Sequence, residues 1–212
     1  PTTPASIGPG EFFPVVGVGP HEKPWPEGAH YDPELLLNGD RRNVLDHYRY
    51  WTVEAIVADL DSKRHKLQIA IENWQHDLNI GSIVRTANAF NVSGVHIVGK
   101  RDWNKRGAMV TDRYLTVHHH PTVEDFALWC KENELPIIGI DNVPGSKQLE
   151  SAQLPEKCVF LFGQEGAGMS DEGIAVCEVL YEINQYGSTR SMNASAAGAI
   201  AMYHWALQHL PR

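Results

Sequence analysis

The chain has 212 residues, 42% hydrophobic and 21% charged, with a formal net charge of −8. These proportions fit a soluble globular protein with room for one domain plus an extension. They exclude a membrane-spanning chain, because no apolar run approaches the ~20 residues that a bilayer requires, and they exclude a surface that is basic throughout, so a polyanion must meet a local patch.

Three cysteines, Cys130, Cys158 and Cys177, are too few and too widely spaced for a disulfide framework or a zinc motif. They read as buried, reduced thiols. Residues 1–20 lack the basic start and long apolar stretch of a secretory leader. The expected location is the cytoplasm.

In chain order, residues 1–43 hold most of the prolines and several glycines with no lasting period, which predicts an extended arm. Val44, Leu45, Tyr48, Ala55, Ile56 and Leu60 fall near helical spacing, so one long helix is expected over 43–63. After residue 65 the pattern alternates. Buried strands are expected at 67–71, 94–98, 114–118, 136–140, 159–162 and 179–183, with helices at 79–90, 123–133, 170–177 and 192–210. Strand–helix alternation with wholly apolar strands implies an α/β fold: an open, mostly parallel sheet with helices on both faces. Such sheets bind ligands at the carboxyl ends of their strands. The loops after Ile71, Ile140, Phe162 and Ile183 are therefore expected around one crevice. The domain reading is an N-terminal arm and helix over 1–64, then an α/β domain over 65–212.

Several stretches carry possible chemistry. Gly163-Gln164-Glu165-Gly166-Ala167-Gly168 places three glycines where a ligand can approach the main chain, or where the chain simply turns. It is neither a P-loop nor a dinucleotide fingerprint. Asn79 is placed to cap its helix, and Arg85 lies opposite the apolar face of Ile80, Ile83 and Val84, facing solvent or a ligand. Ser191 and Asn193 stand where a polar loop enters a helix of small residues, Ser195, Gly198 and Ala199 among them, as a cap or as a site wall. Small residues there imply close packing. Basic runs occur at Lys100, Arg101, Lys105 and Arg106, with Trp103 among them, at 63–66, and at Arg41 and Arg42. Each is either solvated surface or a contact for a polyanion. His118, His119 and His120 alternate faces on a strand and cannot converge on one metal ion. No metal site is expected.

Together, the segment 79–90 (Asn-Ile-Gly-Ser-Ile-Val-Arg-Thr-Ala-Asn-Ala-Phe), the segment 161–170 (Leu-Phe-Gly-Gln-Glu-Gly-Ala-Gly-Met-Ser), and Ile183-Asn184-Gln185 through Ser191-Met192-Asn193-Ala194-Ser195 resemble the three motifs of the SpoU/TrmH-like RNA 2′-O-ribose methyltransferases of the SPOUT superfamily. The resemblance covers roughly 66–210. It departs at Asn91, where glycine is frequent, at Met192 in place of leucine, and at His204 after Tyr203.

This resemblance implies a C-terminal trefoil knot, S-adenosylmethionine as cofactor, RNA (tRNA or rRNA) as partner, and a homodimer. It implies a cofactor site at Ile140, Gly163, Ile183, Ser191, Met192 and Asn193, and catalytic positions at Arg85, Asn79, Glu165 and Asn193. The implied base is Arg85. Because arginine stays protonated, with a pKa above ~12, a phosphate clamp or a stabiliser of the developing alkoxide is the chemically easier role. Asn79 would orient Arg85 or the ribose, and Glu165 and Asn193 would hold the loops and the target nucleotide. Two other readings compete: a knotted RNA-binding protein without catalysis, favoured by the negative charge, and an unrelated nucleotide-binding α/β domain, which lacks its phosphate motif.

Overall fold

The computed structural model describes residues 17–75, 79–164 and 166–211. They divide into two compact units, one ending at Ile56 and the other beginning at Val57.

In the first unit, residues 17–52 are folded rather than extended, with isolated bridges joining Val18 to Asp40 and Tyr31 to Trp51. A short helix, α1 (Pro33–Asn38), starts on Asp32, whose carboxylate accepts from the N–H groups of Glu34 and Leu35. The organising group is Asp40, which is fully buried. It accepts from Arg42 Nη2 (2.7 Å), Arg42 Nε (2.9 Å), and the backbone N–H groups of Arg42 and Tyr50 (both 3.0 Å). Burial by itself would raise this carboxyl; the hydrogen bonds from Arg42 and Tyr50 and the charge of Arg42 outweigh it and bring the pKa down from 3.8 to about 2.

The single helix expected over 43–63 is two pieces, a 3₁₀ turn at Asp46–Tyr48 and α2 (Val53–Asp61). Tyr50 separates them at a left-handed φ of 65°. That geometry turns its N–H to Asp40, while the Thr52 hydroxyl caps α2 through Ala55 N (3.1 Å).

The second unit carries β1 (His65–Asn73), α3 (Asn79–Ala89), β2 (Val92–Gly99), β3 (Val117–His120), α4 (Val123–Glu132), β4 (Ile137–Ile140), β5 (Lys147–Gln148), β6 (Cys158–Phe162), α5 (Asp171–Val176), β7 (Val179–Glu182) and α6 (Ala194–His209). The sheet order is β3-β2-β1-β6-β4-β7-β5, and every described pairing is parallel. The expected α/β sheet with helices on both faces is therefore present. β6 enters between β1 and β4, so the chain returns into a gap between strands already laid down.

Burial follows the pleat. Leu67, Ile69, Ile71, Phe160 and Phe162 pack with Ile80, Ile83, Val84 and Ala87 of α3 and Ala201, Met202 and Trp205 of α6. Ala70, Val159 and Leu161 point the other way, onto Phe126 and Cys130 of α4 and onto Met169. Strands covered on both sides bury mostly apolar side chains, which is why they read as near-continuous apolar runs.

Two local expectations change. Residues 111–114 form a 3₁₀ turn, and β3 starts at Val117, not Tyr114. Leu115 N closes the turn on Asp112 O (3.3 Å), and Arg64 Nη2 donates to Tyr114 O (2.6 Å), so that carbonyl leaves no strand partner. β5 was not expected, because Lys147 and Gln148 are exposed at the sheet edge and carry no apolar pattern. The three thiols are free, and burial pushes each up to about 12. Among the described residues no helix is long and apolar enough to cross a membrane.

Candidate functional site

A cleft of about 650 Å³ opens at the carboxyl ends of β4, β6 and β7. Three loops and the start of α6 line it: the segments following Ile140, Phe162 and Ile183, and residues 190–194. Parallel strands all deliver their following loops to the same edge, so adjacent strands β6, β4 and β7 place three distant segments side by side. Among its described residues, the loop after β1 reaches the cleft wall at Trp74, whose backbone N–H donates to Gln164 Oε1 (3.0 Å).

The glycine loop is built by close backbone approach. A Cβ on Gly163 would lie 2.1 Å from Met169 N and 2.2 Å from Gly168 C, so only glycine fits. Paired hydrogen bonds, Gln164 N to Gly168 O and Gly168 N to Gln164 O (both 3.0 Å), close the turn, with Gly168 at a left-handed φ of 73°.

Two carboxylates pin the loop from neighbouring strands. Asp141, just past β4, accepts from Met169 N (2.7 Å). Glu72, fully buried in β1, accepts from Ser170 N (2.8 Å) and from the Ser170 hydroxyl. That hydroxyl in turn caps α5 through Gly173 N (3.0 Å). The sequence reading missed both acids. The only sequence signal was their place as the first charge after an apolar run, at 67–71 and at 137–140.

Asn193 opens α6 as its N-cap, accepting from Ser195 N (3.0 Å) and Ala196 N (3.4 Å). Its amide donates to Asn79 Oδ1 (2.8 Å) at the start of α3. One side chain thus ties two motifs that stand 114 residues apart. Helix α6 packs less tightly than its small residues suggest, because a Cβ on Gly198 would meet Ile83 at an ordinary 3.5 Å.

The six residues expected to hold a cofactor, Ile140, Gly163, Ile183, Ser191, Met192 and Asn193, all line the cleft. Of the four expected catalytic residues, Asn193 lines it and Asn79 touches Asn193. Glu165 lies outside the described residues. Arg85 is exposed on α3, does not line the cleft, and makes no hydrogen bond or ion pair among the described residues. It stands six residues beyond Asn79, about 9 Å along the helix axis.

The basic positions separate by environment. Lys100, Arg101, Lys105 and Arg106 are exposed on the segment after β2, and Lys105 pairs with Asp112 at 3.0 Å. Arg41 is exposed, whereas the guanidinium of Arg42 is turned inward to Asp40 and Trp51 O, which corrects its reading as a group open to a partner. The run 63–66 is likewise matched to its own acids, Lys63 with Asp59, Arg64 with Asp61 and Lys66 with Glu156.

Histidines 118 and 120 turn to one sheet face. His118 stacks on His96 at 4.8 Å, and His120 Nε2 lies 2.9 Å from His96 Nδ1; His119 points to the other face and donates to Gly99 O (2.8 Å). Burial first, and then the neighbouring His118 and His120, hold His96 neutral with its pKa lowered to about 2. Among the described residues no cluster of His, Cys, Asp and Glu side chains could hold a metal ion.

Comparison with known proteins gives four consistent findings. The SpoU rRNA Methylase family matches residues 66–203. A tRNA (guanosine(18)-2′-O)-methyltransferase of Borreliella burgdorferi is 25% identical over 147 residues, 68% of this chain and 67% of that protein. An uncharacterized tRNA/rRNA methyltransferase of Synechocystis is 29% identical over 163 residues, 74% of this chain and 42% of that one. The SpoU methyltransferase AviRb of Streptomyces viridochromogenes, solved in complex with the cofactor AdoMet, shares the fold at a TM-score of 0.63 and 22% identity, over 72% of this chain and 61% of that chain. The chain therefore spans about two thirds or less of the length of these three proteins.

Proposed function

The chain belongs to the SpoU rRNA methylase family, and we propose that it methylates a ribose 2′-hydroxyl of structured RNA, tRNA or rRNA, using S-adenosylmethionine. The observation that carries this reading is the cleft itself, where the segments after Ile140, Gly163 and Ile183 meet Asn193, and Asn193 holds Asn79. A space of about 650 Å³ suits a cofactor of this size, within the roughly 300–1,000 Å³ of small-molecule sites. Asp141 and Arg190 both line it, one anion and one cation for the charged groups of such a cofactor.

When bound, S-adenosylmethionine supplies an activated methyl carbon, so the protein has only to position and deprotonate the ribose. The turn at 163–168 offers backbone groups, and Ser191 and Met192 close the wall beside them. Asn193 and Asn79 fix the starts of α6 and α3 against each other, which sets where α3 presents Arg85. Arg85 clamps the RNA phosphate and stabilises the alkoxide as it forms, a guanidinium being a donor and not an acceptor, and the proton leaves by way of the substrate phosphate or water. Glu165 is assigned to the target nucleotide from its motif position alone.

The position of Arg85 away from its own cleft supports a homodimer in which α3 of one protomer serves the cleft of its partner. The exposed Ile200, Tyr203 and Leu207, at i, i+3 and i+7 on α6, supply an apolar stripe for such an interface. The insertion of β6 between β1 and β4 supports the trefoil knot, with α6 as the segment passed through it. Residues 1–64 serve as an RNA-contacting extension, through Arg41, and residues 65–212 as the methyltransferase domain. The segment holding Lys100, Arg101, Lys105 and Arg106 supplies the local positive charge that a net charge of −8 otherwise denies. Three free thiols, Cys130 and Cys158 buried and Cys177 half-buried, support a reducing compartment, the cytoplasm.

Incubation with labelled S-adenosylmethionine and total RNA tests the reading. A labelled position protected from alkaline cleavage is the expected result. RNA binding without transfer would point to a non-catalytic binding protein and overturn it.

A further inference from the structure

A second hollow, of about 270 Å³, lies beside the segment after β2 and is lined by Arg101, Asp102, Trp103, Lys105 and His119, over Ile97 and Val117. Its frame is rigid. The fully buried Asn73 donates from its amide to Lys100 O (2.8 Å) and Asp102 O (3.0 Å), which fixes the path of 100–102. Beyond it, Gly107 packs backbone to backbone on α3, where a Cβ on Gly81 would meet the N atoms of Gly107 and Ala108 at 2.8 Å.

Trp103 is half-buried, one part of its ring packed on the core below. Over the ring stands Lys105 Nζ, 5.4 Å from its centroid. Lys105 Nζ also pairs with Asp112 at 3.0 Å, so a stacked base would displace only its weak contact with the half-exposed ring. His119 lies on the same rim, its Nε2 donating to Gly99 O. The hollow therefore combines an aromatic platform with two cations, Arg101 and the Asp112-paired Lys105, and has Asp102 and His119 as polar residues on its rim.

We infer that this hollow is a nucleotide subsite for single-stranded RNA, with the base on Trp103 and the flanking phosphates on Arg101 and Lys105. The choice of RNA rests on the methyltransferase reading above. β2 is three strands from β4 in the sheet, about 14 Å at the usual ~4.8 Å spacing. Within one protomer the subsite thus stands apart from the cleft and holds a nucleotide other than the one at that cleft, contributing to which RNA is accepted.

The test compares binding of the hexaribonucleotides A₆, C₆ and U₆ and an abasic hexamer to the intact protein, with Trp103→Ala, Trp103→Phe and Arg101→Ala. Base–aromatic stacking predicts that Trp103→Ala weakens the best hexamer about tenfold and removes its advantage over the abasic chain, while Trp103→Phe keeps most of it. Arg101→Ala should weaken all sequences alike and lower the salt slope by about one. S-adenosylmethionine affinity should be unchanged in all three. Wild-type hexamer binding by Trp103→Ala would overturn the inference. Should that variant fail to fold, wild-type affinity and salt slope in the exposed Arg101→Ala would overturn it instead. Transfer to total RNA separates the two readings: unchanged KM for RNA in Trp103→Ala, with transfer intact, refutes the subsite alone. Absence of transfer by the wild type refutes the enzyme reading, while the hexamer series still decides whether the hollow takes a base.

Discussion

Substituting Gly163 by alanine tests whether the turn at 163–168 shapes the cofactor cleft. The added methyl would lie 2.1 Å from Met169 N, 2.2 Å from Gly168 C and 2.5 Å from Gly168 O. All three are backbone atoms, so no side-chain rotation relieves the overlap and residues 168–169 must move. That movement breaks the two bonds between Gln164 and Gly168 and the bond from Met169 N to Asp141. At about 1 kcal/mol net for each hydrogen bond, the loss is about 3 kcal/mol. If the displaced turn must return to its native path to form the cleft, S-adenosylmethionine binds about 100-fold more weakly. Isothermal titration measures the affinity and urea unfolding the stability. Gly187→Ala is the control, since a Cβ there meets nothing within 4 Å and should change neither quantity. Gly166→Ala is intermediate: its space is open but its φ is 85°, so only about 1 kcal/mol of backbone strain is expected. Native affinity and stability in Gly163→Ala would refute the reasoning.

Replacing Asn193 by alanine removes a helix cap and the bond to Asn79, at about 1 kcal/mol each. A double-mutant cycle with Asn79→Ala should return a coupling of about 1 kcal/mol in urea unfolding; strict additivity would show that the two amides act separately. Arg85→Ala should lose most turnover, by roughly 10²–10⁴ if it stabilises the reacting oxygen, while S-adenosylmethionine affinity stays within twofold in titration. Acid stability should follow His96. Its folded pKa lies far below the unfolded 6.5, so its contribution is fully present above pH 6.5 and is lost as pH falls below that value toward about 2. Between pH 7 and pH 5 this amounts to about 2 kcal/mol, measurable as a pH slope of unfolding that His96→Gln flattens. A slope unchanged in that variant would assign the acid sensitivity to other groups.

The sheet was legible because its strands are buried on both faces, so 159–162 is wholly apolar and 67–71 is apolar but for Gln68. The cofactor positions were legible for a related reason. Parallel strands send every following loop to one edge, and motif residues just after Ile140, Phe162 and Ile183 had to converge there. What stayed hidden depends on which strands become neighbours. Glu72 and Asp141 reach the glycine turn only because β6 lies between β1 and β4, an order that no local pattern encodes. The first unit was hidden for the same kind of reason. Its fold hangs on the buried carboxylate of Asp40 and a left-handed Tyr50, and neither registers in composition or period. Arg42 shows the cost of reading charge alone: as sequence it is a cation beside Arg41, and in the fold it is the counter-ion of Asp40.

The central claim is methyl transfer to ribose, and the most direct measurement is the mass of the product nucleosides. RNA incubated with the protein and trideuteromethyl S-adenosylmethionine is digested to nucleosides, and the position of the heavy methyl is read by fragmentation. The heavy methyl is expected on the ribose fragment of a single nucleoside, at a yield that falls to background with Arg85→Ala. Its appearance on a base fragment, or its absence from every nucleoside while the protein still binds the methyl donor, would contradict the proposed function.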